Sequence, residues 1–205
     1  ICLQGFIGWY MVSSGLVDRI DVSHYRLSLH LVLAFIILSL IFWNYLNCKE
    51  IIHPKKIIGY IFPLIFLFLL FVQIAIGAFV SGMDAGMIYN TWPLMGISYF
   101  PNDNSIINLF KLSVFNDPSL VQFIHRNLAY IISLIYLVIL LKIYLNKLIF
   151  FNKIIMFIGV LLLIQIMLGI LVLLSGANII ICSMHQICSI FLVSSSIYFL
   201  YLNSN

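Results

Sequence analysis

Six apolar runs dominate this chain, at roughly 1–16, 24–47, 57–80, 118–144, 152–174 and 178–202. Most are near the ~20 residues a helix needs to cross ~30 Å of hydrocarbon. Lipid leaves no water to satisfy the backbone, so only helices and closed barrels can span it. The runs lack the strict alternation of barrel strands. The expected fold is therefore all-α and integral to a membrane, with six transmembrane helices. Composition agrees: 64% of the residues are hydrophobic and 8% charged, which leaves too little polar surface for a soluble domain of this size. No basic run alternates with aromatics, which excludes a nucleic-acid interface. The sequence starts inside an apolar run, without Met, a basic leader or a small-residue cleavage site. That reads as an internal start with an upstream part removed or separately encoded, and not as a signal peptide.

Charge placement orients the spans. Lys49, Lys55 and Lys56 fill the connection between spans two and three, and Lys142, Lys147 and Lys153 that between four and five. The positive-inside rule makes these connections cytoplasmic, or matrix-side in a mitochondrion. The opposite side carries Asp18, Asp21, Asp84, Asp103 and Asp117 with Arg19, Arg26, Lys111 and Arg126. The connection from Gly82 to Asp117 is long enough to read as a functional lid over the outer opening, with Asp84, Tyr89, Asn90 and Trp92 in it. Its Asp84-Ala85-Gly86 turn suggests close backbone approach to a ligand or another helix.

Three histidines, His30, His125 and His185, lie inside spans, each about seven residues past the polar start. At 1.5 Å of rise per residue, that sets all three roughly 10 Å below the outer surface. Ionisable groups at such depth are costly and point to function. Spans three to six can form an up-down four-helix bundle, in which spans four and six are diagonal partners. His125 and His185 then oppose each other across its core, as two neutral imidazoles suited to axial ligation of an iron macrocycle. The residue four after each histidine is small (Ala34, Ala129, Ser189), leaving room on that face for a flat ring. Arg26, one turn before His30, and Arg126, beside His125, are placed to pair with propionate carboxylates. Interfacial anchoring is the simpler role for these arginines, as a hydrogen bond to a neighbouring helix is for a single membrane histidine. His24 and His53 fall in polar connections and are expected to be solvated. Cys2, Cys48, Cys182 and Cys188 fit no metal spacing and read as small packing residues. Spans one and two also resemble five and six: each pair has a Ser-Gly at the outer turn (Ser14-Gly15, Ser175-Gly176) before a histidine-bearing helix.

These stretches resemble the haem A synthase family. GAFVSGMDAGMIYNTWPLMG (Gly77 to Gly96) is similar to the family's fifth helix and following loop, and VQFIHRNLAY (Val121 to Tyr130) to its sixth-helix histidine motif. GWYMVSSGLVDRIDVSHYRLSLH (Gly8 to His30) resembles its third and fourth helices, and SMHQ (Ser183 to Gln186) its eighth. Lacking a cysteine pair in its outer loops, the chain is more similar to the proteobacterial and mitochondrial branch.

The resemblance implies eight helices in two pseudo-symmetric bundles, and conversion of haem O to haem A by oxidation of a ring methyl to a formyl group. It implies that His125 and His185 hold a haem b cofactor, with Arg126 beside it, and that His30, with Arg26, belongs to the substrate-haem site. Residues 1–47 would be the second half of the N-terminal bundle, 48–56 an inner connection, and 57–205 the C-terminal bundle with the outer loop 82–117. The family's first two helices have no counterpart here. With them go a substrate-site histidine and a glutamate implicated in catalysis, so no catalytic residue is assigned. Implied partners are haem O synthase, an electron donor such as ferredoxin, and the lipid bilayer. The implied location is the bacterial plasma membrane or the mitochondrial inner membrane, with the haem sites toward the periplasmic or intermembrane side. Two other classes remain at this point. A b-type cytochrome would only carry electrons and would show complete histidine pairs. A transporter would show interrupted helices and a polar midplane.

Overall fold

The computed structural model describes residues 2–13, 22–54 and 57–204. Six α-helices run through them: α1 (Cys2–Ser13), α2 (His24–Asn47), α3 (Ile61–Gly82), α4 (Pro118–Leu145), α5 (Asn152–Leu174) and α6 (Ile179–Tyr201). Five are long and apolar enough to cross a membrane; α1 is too short. Among the described residues there is no β-strand, only an isolated bridge between Met95 and Ser98. Ser14-Gly15, Asp18, Arg19, Asp21, Lys55 and Lys56 lie outside the described residues.

Helix ends follow local chemistry. Asp117 caps α4 by accepting from the Leu120 amide at 3.1 Å, with Pro118 in the first turn, where its missing N–H costs nothing. Asn178 caps α6, accepting from the amides of Ile180 and Ile181. Just before it, the chain leaves α5 through Gly176 and Ala177, both at positive φ, as a tight helix-to-helix turn requires. The third span starts later than its hydropathy suggests. Residues 57–60 are not helical, and Gly59 takes φ +101°, a conformation no L-residue holds inside a helix.

Helix α3 packs on α4, α4 on α5, α5 on α6, and α6 back on α3. Helix α2 adds to this group through α3 and α6, and α1 packs on α2. Side-chain contacts sort the ends. At one end the Tyr201 hydroxyl bonds the Leu46 carbonyl, the Ile58 amide donates to Asn203 Oδ1, and Lys142 sits over the Phe62 ring. At the other, Tyr25 bonds Asn116 and Asn90 bonds the Leu173 carbonyl. The expected division thus recurs, with lysines at the first end and the acidic loop at the second.

The apolar core is concentrated toward the lysine end. Phe66, Ile139, Ile143, Phe151, Ile155, Ile158, Ile197 and Phe199 are all buried there. No residue of α5 beyond Leu162 is buried, nor any of α6 before Cys188. The histidine half of this pair is the more exposed half.

Glycine sets the closest approach of α5 to α4. A Cβ on Gly159 would sit 2.7 Å from the Tyr136 ring carbon Cζ, and the Tyr136 hydroxyl donates to the Ile155 carbonyl at 3.1 Å. Moving a rigid ring in packed surroundings is costly. Gly159→Ala should therefore destabilise the protein by about 1–3 kcal/mol, read as a lower thermal midpoint in detergent. An unchanged midpoint would show that α4 and α5 can slide apart freely.

Candidate functional site

Helix periodicity brings the three histidines to equivalent depths. His30 is the seventh residue of α2, His125 the eighth of α4, and His185 the seventh of α6. Each therefore sits in the second turn, counted from the acidic end. His125 lies on α4 and His185 on α6, helices that each pack on both α3 and α5. The Nδ1 atoms of both histidines are shielded from solvent and have no hydrogen-bond partner.

The neighbours of the rings repeat three times. The Gln4 amide nitrogen lies 3.3 Å from His30 Nε2, that of Gln73 3.3 Å from His125 Nε2, and that of Gln165 3.3 Å from His185 Nε2. Gln4 and Gln73 also donate to the backbone carbonyls of His30 and His125, at 3.1 and 3.0 Å. One turn after each glutamine comes a glycine. A Cβ on Gly8, Gly77 or Gly169 would stand 3.1, 3.0 or 3.2 Å from the Cε1 of its histidine. Each imidazole therefore lies against bare backbone of the preceding helix.

The sequence announces this unit as Q-x-x-x-G, at Gln4–Gly8, Gln73–Gly77 and Gln165–Gly169. The expectation from sequence looked for slim residues only on the histidine helices. The close contacts fall on their partners. The repeat also extends further than expected, because α3–α4 carries the same unit as α1–α2 and α5–α6.

The arginines are engaged differently from each other. Arg26 stacks its guanidinium 5.1 Å from the Tyr10 ring centroid, on the α1 side of α2 where His30 also lies. Arg126 clamps the outer loop: Nη2 donates to the Tyr89 carbonyl at 2.9 Å, and Nη1 to the Thr91 and Leu94 carbonyls at 3.0 and 3.3 Å. Its Nε is buried without a partner. Gln122 adds a bond to the Tyr89 carbonyl at 3.1 Å.

The loop is thus tied onto α4 above His125. Asn90 bridges the Gly86 and Leu173 carbonyls, reaching α5, while Trp92 is 45% exposed and touches none of these polar groups. The Asp84-Ala85-Gly86 turn is buried at Ala85 and Gly86. Asp84, not the glycine, takes the left-handed conformation, and a Cβ on Gly86 would find ordinary room, 3.7 Å from Ala177.

Two other expectations change. His24 and His53 are half-buried rather than solvated: His24 packs on Tyr25 and Phe79 with ring centroids 4.2 and 5.3 Å away, and His53 lies 5.2 Å from Tyr201. His24 opens α2 and His53 lies in the connection to α3 beside the end of α6, and both rings pack on aromatic side chains there. The four cysteines are free thiols. Among the described residues, no group of three or more His, Cys, Asp or Glu is placed to hold a bare metal ion.

Asp103 fixes the loop from inside, accepting from the Tyr89 hydroxyl at 2.9 Å and the Ser119 hydroxyl. Partial burial works against its charge, but the bonds from Ser119 and Tyr89 prevail and hold its carboxyl below the ordinary value of 3.8. A depressed carboxylate stabilises the fold fully above its unfolded pKa, and that contribution is lost as pH falls through the folded value. Hydrogen exchange in residues 82–117 should therefore accelerate only when pH drops below 3.8. Asp103→Asn should show the faster exchange already at neutral pH. Equal exchange in both proteins at neutral pH would remove Asp103 from the latch.

Comparison with known proteins places relatives beside this geometry. The family model COX15-CtaA, cytochrome oxidase assembly protein, matches residues 1–197. A "Heme A synthase" of Pelagibacter ubique is 50% identical over 205 residues, covering 100% of this chain and 60% of that protein. One of Rickettsia bellii is 46% identical over 139 residues, covering 65% of this chain and 41% of its own length. One of Rickettsia prowazekii is 42% identical over 127 residues, covering 61% and 38%. The chain thus spans less than two thirds of the length of each of these relatives.

Proposed function

Because the chain belongs to the haem A synthase family of cytochrome oxidase assembly proteins, we propose that it is the part of such an enzyme that binds haem at two sites near one membrane face. The family makes it an oxidoreductase that is integral to a membrane. The proposed reaction is oxidation of a ring methyl of haem O to the formyl group of haem A.

The observation that carries this reading is the setting of His125 and His185. They come from α4 and α6, helices that each pack on both α3 and α5, as diagonal members of a four-helix bundle would. Their Nδ1 atoms are buried and unpartnered. Two imidazoles at one depth on diagonal helices would supply the two axial ligands of a bis-histidine haem b. When bound, it would supply one-electron transfer. Residues 57–205 would form this cofactor bundle, with 48–56 connecting on the inner side. Arg126 keeps one free donor, Nε, for a carboxylate near His125.

His30 and Arg26, both turned toward α1, would serve the substrate-haem site within residues 1–47. A b-type cytochrome that only carries electrons would leave His30 without a use, although its surroundings repeat those of the other two. No residue of this chain is assigned the catalytic step. By family resemblance, haem O synthase would deliver the substrate and a ferredoxin-like protein the electrons, in a bacterial plasma or mitochondrial inner membrane. The acidic loop would then face the periplasmic or intermembrane side, following the lysines.

Purified protein supplied with haem should give a six-coordinate, low-spin spectrum, and His125→Ala or His185→Ala should abolish it. His30→Ala should leave that spectrum intact. Full spectra from both of the first two variants would end the axial assignment.

A further inference from the structure

Three imidazoles in one chain share one unusual setting, and the setting fixes more than their position. The amide nitrogen of Gln73 can only donate. Its identity is secured by the second bond it makes, to the His125 backbone carbonyl. A ring nitrogen facing a donor must present its lone pair, so His125 Nε2 is the unprotonated nitrogen and the proton resides on Nδ1. Gln4 is secured the same way by the His30 carbonyl but lies between the two ring nitrogens, 3.3 Å from Nε2 and 3.4 Å from Nδ1; Gln165 faces His185 Nε2 at 3.3 Å through that one contact. The glycine one turn on closes the other side. With ring carbon Cε1 already 3.0–3.2 Å from where a Cβ would stand, any larger residue would turn or push the ring.

We infer that Gln73 with Gly77, Gln165 with Gly169, and Gln4 with Gly8 are positioning residues. Each pair holds its histidine ring in a single orientation, and Gln73 also holds His125 in the tautomer whose Nε2 lone pair is available. In hydrocarbon no water can do this, and an imidazole left to itself would populate both tautomers. The amide keeps the Nε2 lone pair engaged until a stronger acceptor of electron pairs arrives, and Gln4 and Gln73 then still have the histidine carbonyl to bond. The glutamine Oε1 atoms, buried without partners in all three units, are the nearest reserve of acceptors on the same side chains. This deepens the haem reading above and rests on it only for what finally takes the lone pair. The orientation and the tautomer belong to the protein alone.

The test begins without haem. In apoprotein labelled with ¹⁵N-histidine, at mildly alkaline pH, His125 should show a protonated Nδ1 and an unprotonated Nε2. Gln73→Leu should mix the tautomers of His125 and leave the His185 ring signals unchanged, whereas Gln165→Leu should shift the His185 ring signals and leave His125 unchanged. On α1, Gly8→Ala should shift the His30 ring signals, whereas Gly5→Ala, with nothing within 4 Å of its Cβ, should not. With hemin as the probe, Gln73→Leu and Gln165→Leu should each weaken binding about 10–100-fold. The low-spin electron paramagnetic resonance signal should also shift.

Wild-type protein carrying the His125 proton on Nε2 would overturn the inference, whether or not the leucine variants fold. So would folded leucine variants whose tautomers and hemin affinity match the wild type. Failure of the haem reading looks different: hemin binding would survive His125→Ala while the tautomer pattern stayed as described.

Discussion

The constraint beneath everything here is that a polar group inside hydrocarbon must find its partner within the protein. Most of the small hydroxyls solve this locally. Ser39, Ser133, Ser183, Ser195 and Ser196 each bond the carbonyl one turn back on their own helix. Local solutions leave the helices free of one another. Ser28 crosses instead to the Ala75 carbonyl and ties α2 to α3. The glutamine–histidine contacts cross too, and always to the next helix in sequence. Polar satisfaction, more than apolar packing, thus defines which helices form pairs at the histidine end. At the lysine end the balance reverses, and interlocked aromatics such as Phe151 and Phe199, edge to face at 5.5 Å, supply the contact.

Hydropathy alone made five spanning helices legible to within a few residues, because length and apolarity are all that the bilayer demands of a span. The start of α3 was not legible, since Ile57 and Ile58 are as apolar as a helix interior while Gly59 breaks the backbone. Histidine depth was legible from spacing, because rise per residue is fixed. The Gln-Gly half of each unit was present in the sequence as a repeated five-residue pattern. It passed unnoticed because a glutamine in a span reads as one more polar residue until its neighbour is known. Arg126 shows the opposite limit. Its proximity to His125 follows from numbering, but its grip on three loop carbonyls depends on how residues 89–94 fold back, and no periodicity encodes that.

The outer loop is held by a few specific bonds and very little apolar burial. Met95, Ala85 and Val114 are buried, whereas Ile97, Phe110 and Leu112 are 88%, 86% and 92% exposed. Such an element opens at lower cost than the helices beneath it. Asp103 and Arg126 are its principal ties, and both reach α4, one through Ser119 and one from its own backbone position. The loop is therefore anchored on the helix that carries His125.

Helix α6 contributes to three interfaces at once, with α5, α3 and α2, and the Tyr201 and Asn203 bonds to Leu46 and Ile58 lie at its far end. Among the six described helices it is also the last in chain order. During synthesis, α2 to α5 therefore reach the bilayer before it, with one side open. The surroundings of His185 form only when α6 docks, so they depend on contacts made at both ends of that one helix.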